Sequence, residues 1–406
     1  MGNDSSSGPL ARQTLAAAWQ SFADDIASGA SIVSAAPFAN DPRDLAEGHR
    51  YLARLIAFAI QEEFGFADPE FPAFHRGLDP LAPWGAPNVD NIYLTATIDG
   101  RSDYRVWANV STIDGFILNT NEGVFPIFPG FKTTGETSSR DLVIGEDGHF
   151  ELLLSAERPA DWKGNWMRLT PADSKFSVRQ YLSDWDRHLP ADFHIVKLGN
   201  EGLTPAPLTP ERCAKALADA VHWAKTLAAY YLKRLANELA ASRYNELPVP
   251  QKRVPGSEYV HYGVTFFDVA EDEALLIEMP DESAPGHRPY WSFQLYNLWN
   301  ESTDAFHRTT SINRMQARID PDGVLRIVIA QRDPGVPNWL DTDGQRRGYL
   351  WYRWIWADKV PSPTGRLVKL AELREHLPAF VPQIGEAQRR EQRARRRVHL
   401  ETRYYR

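Results

Sequence analysis

Asn88-Val89-Asp90-Asn91-Ile92-Tyr93 is a stretch whose side chains could do chemistry. Asp90 is its one carboxylate, set between amides and followed by a phenol. The segment opens a strand, because Ile92 to Ile98 alternates apolar with polar residues. A strand opening puts such groups at the rim of a sandwich or barrel. An aspartate held there against aromatic walls would have a raised pKa and could act as acid or base. Asn91 and Tyr93 share one parity and would orient it. The same residue types also build Asx turns, which need no function at all.

A second polar cluster, Asn119-Thr120-Asn121-Glu122, follows the strand-like Gly115 to Leu118 and offers Asn121 as a ligand contact. A third follows YWSFQLYNLW, residues 290 to 299. There Asn297, Asn300, Glu301, Asp304, His307 and Arg308 collect. His307 beside Arg308 could bind an anion or support proton transfer. Within the strand, Tyr290, Ser292, Gln294 and Tyr296 point one way and Trp291, Phe293 and Leu295 the other. Neither face is then freely solvated. Tyr290, Trp291, Asn297, Trp299 and Trp339 are expected as walls and orienting groups. Arg353 sits in the aromatic run Tyr349 to Trp356 and is costly if unpaired. It needs a carboxylate partner or an aromatic stack, and the ion pair is the leading expectation.

This set suits an enzyme that uses acid/base chemistry on a largely apolar small molecule. A lyase, hydratase, isomerase or cyclase would fit, with Asp90, His307 and Arg308 as catalytic groups. A non-catalytic hydrophobic-ligand-binding or structural protein would use the same walls. His188, His194, His287 and His307 keep a jelly-roll-type metal enzyme open as a third class. No metal ligands are assigned and no cofactor is expected. The chain has no nucleophile elbow GxSxG, no Walker A loop, no GxGxxG after a strand, no HExxH and no CxxC.

The elements that must position these groups follow from periodicity and punctuation. Leu15, Trp19, Phe22 and Ile26 mark a helix over 10 to 34. Asp41-Pro42 opens a second, with Leu45, Leu52, Ile56 and Ile60 as its stripe and Gly65 near its stop. These form an N-terminal helical pair over 1–65. An antiparallel sheet region spans 66–208, with short strands, a hairpin signal at Asp99-Gly100 and another turn at Asp147-Gly148. Thr209-Pro210 caps a central helix, 209–244, about 45 Å long at 1.5 Å per residue. A proline-rich linker precedes the second β region, 258–365, a sandwich or jelly roll with turns at Asp322-Gly323 and Asp343-Gly344. A basic helical tail, 366–406, carries Arg389 to Arg397. Solvated helix surface is its first expectation, and a homo-oligomer contact is the alternative. The fold class is therefore α+β, and the site would lie where the two β regions face each other.

Composition bounds the rest. The chain has 406 residues, of which 43% are hydrophobic and 12% aromatic, enough for a large core. Its formal charge of −8 argues against nucleic acid as a partner. The single cysteine, Cys213, lies in a helical stretch and reads as a small core residue. No apolar run is long enough for a membrane span, and the start lacks a secretory pattern, so a cytoplasmic location is expected.

Four C-terminal motifs carry a resemblance: Tyr290-Trp291, Asp322-Gly323 with its alternating strand, Asn338-Trp339-Leu340 and Tyr352-Arg353. Together they resemble the mainly bacterial "twelve-fourteen" domain-of-unknown-function family. Asn88 to Tyr93 is similar to the NPDxxY segment that accompanies such domains, with Val89 in place of the usual proline. The resemblance is firm over 285 to 357 and looser over 85 to 110. The ending YRWIW departs from the common arginine–tyrosine form. The resemblance implies a β-rich, jelly-roll-like C-terminal domain and no established reaction.

Overall fold

In the computed structural model, residues 7–79, 82–125, 130–252, 256–281 and 289–404 are described. Helix α1 (Ser7–Ser34) and helix α2 (Pro42–Gln61) pack on each other. The α2 start is as its sequence dictates: the Asp41 carboxylate accepts from the Asp44 N–H at 2.9 Å, and Pro42 takes the first turn. Its buried face is Tyr51, Leu52, Leu55, Phe58 and Ala59. Leu45 and Ile60 of the expected stripe are exposed, because the aromatic pair Tyr51 and Phe58 turns the helix toward the core. The helix runs past Gln61 into one π turn, Glu62–Phe66, which contains Gly65.

Nine strands of the first β region form two layers rather than one sheet. They are β1 (His75–Leu78), β2 (Asn91–Thr97), β3 (Tyr104–Asn109), β4 (Gly115–Glu122), β5 (Lys132–Ser138), β6 (His149–Ser155), β7 (Asn165–Arg168), β8 (Asp173–Tyr181) and β9 (His194–Lys197). One layer has the order β1-β2-β8-β4-β5, the other β7-β6-β3-β9. Phe116, Leu118, Phe176 and Val178 meet Tyr104, Val106, Phe150 and Leu152 between them. Asp99-Gly100 is not a hairpin: β2 and β3 lie in different layers, and the turn carries the chain across. Gly100 abuts the Thr170 carbonyl so closely that a Cβ would collide with it, which is why the residue is glycine.

Helix α3 (Pro210–Ala241) follows, with Thr209 capping the Arg212 N–H at 3.3 Å. It buries Leu217, Val221, Ala224, Ala228, Tyr231 and Leu235, the stripe its sequence shows. Cys213 is a half-buried free thiol.

The second β region holds β10 (Val260–Asp268), β11 (Glu273–Pro280), β12 (Tyr290–Tyr296), β13 (Ser311–Asn313), β14 (Val324–Ala330), β15 (Trp339–Asp341), β16 (Arg347–Ile355) and β17 (Thr364–Lys369). Its layers have the orders β10-β16-β12-β13 and β15-β14-β11-β17. The first region has the same plan. Taking β2 to β9 against β10 to β17 in chain order reproduces both layers strand for strand. Even the parallel pairs correspond, β6 with β7 and β14 with β15. The chain therefore contains one sandwich topology twice.

Local chemistry repeats with it. Gly148 and Gly323, the glycines before β6 and β14, have φ of 81° and 76°. The Asn165 amide donates to the Val143 and Glu151 carbonyls and accepts from the Val143 N–H. The Asn338 amide donates to the Arg318 and Arg326 carbonyls and accepts from the Arg318 N–H. Glu151 and Arg326 are each the third residue of their strand. In each half one amide pins a loop to its strand and meets three backbone groups that would otherwise be left unsatisfied.

The basic tail folds back as α4 (Glu386–Tyr404). Its inward arginines are buried, against the expectation of a solvated face. Arg389 pairs with Asp333 at 2.8 Å and lies over the Trp339 ring at 4.9 Å. Arg396 donates to the Ala305 and Ser311 carbonyls and stacks over Trp185. Arg390, Arg395 and Arg397 on the outer side pair with Glu386, Asp186 and Glu401. Helical spacing thus splits one basic run into a buried and a solvated set. Among the described residues no helix is long and apolar enough to cross a membrane.

Candidate functional site

A cavity of about 720 Å³ lies between the two sandwiches. Three walls enclose it: the β1-β2-β8-β4-β5 layer, the β10-β16-β12-β13 layer, and the π turn with α2 and α3. Strand alternation builds it. Odd-numbered residues of β2, β4 and β8, among them Tyr93, Asn121 and Arg179, line the cavity, while Phe116, Leu118 and Phe176 fill the sandwich behind them.

One end of the cavity is aromatic. Phe58 from α2, Trp84 from the loop after β1, and Trp223 and Tyr231 from α3 line it with Phe125. The Phe58 ring lies 5.1 Å from Trp84 and 5.2 Å from Trp223, and the Trp223 indole donates to the Phe125 carbonyl at 2.8 Å. These contacts fix the rings as walls before any ligand enters.

The sheet wall is polar. Lys175 pairs with Glu62 of the π turn and donates to Thr97 at 2.8 Å. Glu62 also meets His75, which stacks on Phe66 at 4.2 Å. Burial pushes the Glu62 carboxyl up, but His75 and Lys175 outweigh it and hold the group down at about 2. Neighbouring Glu63 shifts the other way, raised by burial and by Asp219. Arg234 pairs with Glu238 at 3.0 Å, and Glu136 accepts from the Asn119 amide at 3.0 Å.

Two arginines stand apart from this pairing. Arg179 on β8 lies 5.5 Å from the Tyr93 ring centroid and bonds to Tyr181. Arg353 on β16, only 4% exposed, donates to the Tyr296 hydroxyl at 3.0 Å and lies 5.3 Å from the Trp351 ring centroid. Among the described residues neither forms an ion pair, and the Nε of each has no hydrogen-bond partner. The aromatic stack expected of Arg353 is present, but the carboxylate is not. Both arginines occupy the seventh position of a nine-residue strand. Arg179 registers with Tyr93 and Ile117, and Arg353 registers with Tyr262 and Ser292. Those four partners are each third in their strands, so the two arginines are equivalent in the duplicated plan.

Residues 126–184 and 269–359 match the model of a protein family of unknown function, DUF1214. An uncharacterised protein from Burkholderia cenocepacia, known from a crystal structure, is 32% identical, with a TM-score of 0.81. The match covers 89% of this chain and 99% of that one. This chain belongs to the DUF1214 family. The VPA0106 protein from Vibrio parahaemolyticus aligns over 79% of this chain and 98% of its own, at 14% identity and a TM-score of 0.41. No curated protein matches.

Within this family member, Asn91, Tyr93 and Asn121 reach the cavity. Asn119 and Arg353 line it as well, and the other residues singled out from sequence lie elsewhere. Asp90 is buried outside the cavity, accepting from the Trp185 indole at 2.5 Å and the Tyr290 hydroxyl at 2.6 Å. Asn88 bonds to Asn91, Tyr290 and the Asp90 N–H, the Asx arrangement that its residue types allow. Gln294 accepts from the Val89 N–H and donates to the Pro87 carbonyl, so this segment joins the two sandwiches. His307 is exposed against Asp304, and Arg308 pairs with Asp341 and Asp343. Asn297 binds Glu47 and Glu301, and Trp299 donates to the Asp44 carbonyl. Trp291 belongs to the second sandwich core, and Trp339 packs under the α4 arginines. His287 lies outside the described residues. Among those described, no three His, Cys, Asp or Glu side chains gather as a metal set.

Arg179, Glu62, Glu63, Trp84 and Trp223 escaped the sequence reading. Arg179 carried one usable signal, a charge on the same parity as Tyr181 in a strand whose other parity holds Phe176 and Val178. The helical residues carried none, because a helix face does not announce what it is packed against.

Proposed function

We propose that this DUF1214 protein binds a largely apolar small molecule between its two sandwiches. The carrying observation is the cavity of about 720 Å³ with rigid aromatic walls at one end. Its size falls in the range of small-molecule sites, and its mixture of apolar wall and few polar groups is typical of them. Binding is favoured over proton transfer by Asp90, whose carboxylate is enclosed by Trp185 and Tyr290 away from the cavity.

A proton-transfer enzyme is the second reading, and Glu63 favours it. This carboxyl lines the cavity on a π turn, and burial moves it toward the pH at which it can carry a proton.

Mass spectrometry of compounds retained by the purified protein tests both. The parent should carry a small molecule, and Ser177→Trp should lose it while keeping the fold. Ser177 lines the cavity, and Trp351 stands at its equivalent position in the second half. Equal retention by parent and variant would refute the cavity as the site. Conversion of the compound on incubation, abolished in Glu63→Gln with retention unchanged, would establish the enzyme reading.

A further inference from the structure

We propose that Arg179 and Arg353 together grip an oxyanion, so that the cavity takes an apolar acid rather than a neutral hydrocarbon. The inference rests on the cavity being a small-molecule site, and it names the chemical class of what enters.

Both arginines line the same cavity, and the ionisable groups that act most on each are tyrosines. Arg179 lies 5.5 Å from the Tyr93 ring centroid and Arg353 registers with Tyr262, and both tyrosines line the same cavity. Neutral phenols can accept hydrogen bonds but cannot neutralise charge. Arginine does not lose its proton in proteins, so the charges persist. A buried cation without a counter-charge is strongly disfavoured, which applies to Arg353, while Arg179 is half-buried on the cavity wall. Some other inward-facing arginines in this chain have carboxylate partners, although Arg396 and Arg403, which lie against Trp185 outside the cavity, form no ion pair among the described residues. Arg326 pairs with Glu278, Asp320 and Asp322, and Arg389 pairs with Asp333. The cavity's other cations are also matched, Lys175 with Glu62 and Arg234 with Glu238. Of the cations that line the cavity, Arg179 and Arg353 alone among the described residues are left with unpaired charge and an Nε donor to offer.

The duplicated plan sharpens the point. On the cavity side β8 presents Lys175, Ser177, Arg179 and Tyr181, and β16 presents Trp351, Arg353 and Ile355. Arginine is the one identity the two strands share. Packing does not explain it, since the neighbours differ in size, polarity and sign. A planar guanidinium presents paired donors to a carboxylate or phosphate, and two approaching from facing sheets would hold such a group between them. The aromatic end of the cavity then receives the apolar body.

Two oxyanions share this chemistry. A carboxylate balances one guanidinium, and a phosphate ester at neutral pH balances nearly both. Calorimetric titration with matched probes separates them: naphthoate, naphthyl phosphate and neutral naphthamide, repeated with dodecanoate and dodecanamide. The acids should bind the parent roughly thirtyfold or more tighter than the matching amides. In Arg353→Met and in Arg179→Met that preference should fall to near unity while amide binding persists. Thermal melting checks that each variant is folded, and either folded variant suffices. Arg353→Lys should recover part of the preference, since charge returns without the fork. A phosphate preference over carboxylate identifies the dianion as the better head, and the reverse identifies the carboxylate. Equal affinity of acids and amides would overturn the oxyanion grip and leave the apolar cavity standing. So would a preference unchanged in both methionine variants. Binding of neither acids nor amides would overturn the grip and the cavity reading together.

Discussion

The two sandwiches share a strand order but treat their facing layers differently. In the first, the third and fifth residues of β8 are Lys175 and Ser177, and the wall is polar and open to the cavity. In the second, the same positions of β16 are Tyr349 and Trp351, packed into the cluster that holds α2 and α3. Strand β12 is buried along its whole length, whereas its counterpart β4 ends in Asn119 and Asn121 on the cavity. One half of a duplicated scaffold seals against helices, and the other keeps a wall that a ligand can use. The facing parity of a few strands differs between the halves, while Phe116 and Phe176 in one and Phe293 and Leu350 in the other keep each sandwich interior apolar.

That comparison can be broken by experiment. The largest effect is expected at the paired loop pins. Asn338→Ala should cost about 3 kcal/mol of unfolding free energy in urea melts, and Asn165→Ala about half as much, because Asn338 is buried and Asn165 partly solvated. Equal costs would mean that the halves are energetically alike as well as topologically alike.

The next is the acid limb of stability. The folded Glu62 carboxyl is depressed to about 2, so its contribution is complete above the unfolded carboxylate range and fades as pH falls through 4 toward 2. Glu62→Gln should flatten that limb by ~2–3 kcal/mol, a figure set by the size of the shift. The second half has Tyr349 where Lys175 stands and lacks this pair, so Tyr349→Phe should leave the acid limb unchanged. A Glu62→Gln melt that tracks the parent from neutral pH to pH 2 would contradict the assignment.

The smallest effect concerns the arginines without ligand. Replacing Arg179 and Arg353 together by Met should raise stability by about 1 kcal/mol, since apolar groups of similar volume remove uncompensated buried charge. Destabilisation by the double substitution would show that their tyrosine and tryptophan contacts are worth more than the charge costs.

Much of the architecture was legible before any coordinates. The caps Asp41 and Thr209, the α3 stripe and the short alternating strands are local signals, and each appears in the fold. Local signals failed where a partner decided the outcome. Asp99-Gly100 has hairpin composition, yet it crosses between layers. Leu142 to Ile144 and Met315 to Ile319 have strand composition, but β13 forms at Ser311–Asn313 and neither run is a strand. The duplication also left traces: Asp147-Gly148, Asn165-Trp166 and Arg179 recur in order as Asp322-Gly323, Asn338-Trp339 and Arg353. Those matches are too short to stand out until strand pairing aligns them.

The candidate site was less legible, for a physical reason. Asn91, Tyr93 and Asn121 were found because strand parity assigns them a side. Asp90 and His307 were singled out for side-chain chemistry, but accessibility depends on what packs over them. The sequence alone determined an α+β chain with a long central helix, two β regions and a place in a β-rich family. Tertiary structure alone decided that the regions are one topology used twice, that the basic tail turns its arginines inward, and that Arg179 and Arg353 line one cavity. Periodicity is written along a chain within a few residues. The neutralisation of a charge is settled by which groups the fold brings together, and here Arg179 and Arg353 found no carboxylate among the described residues.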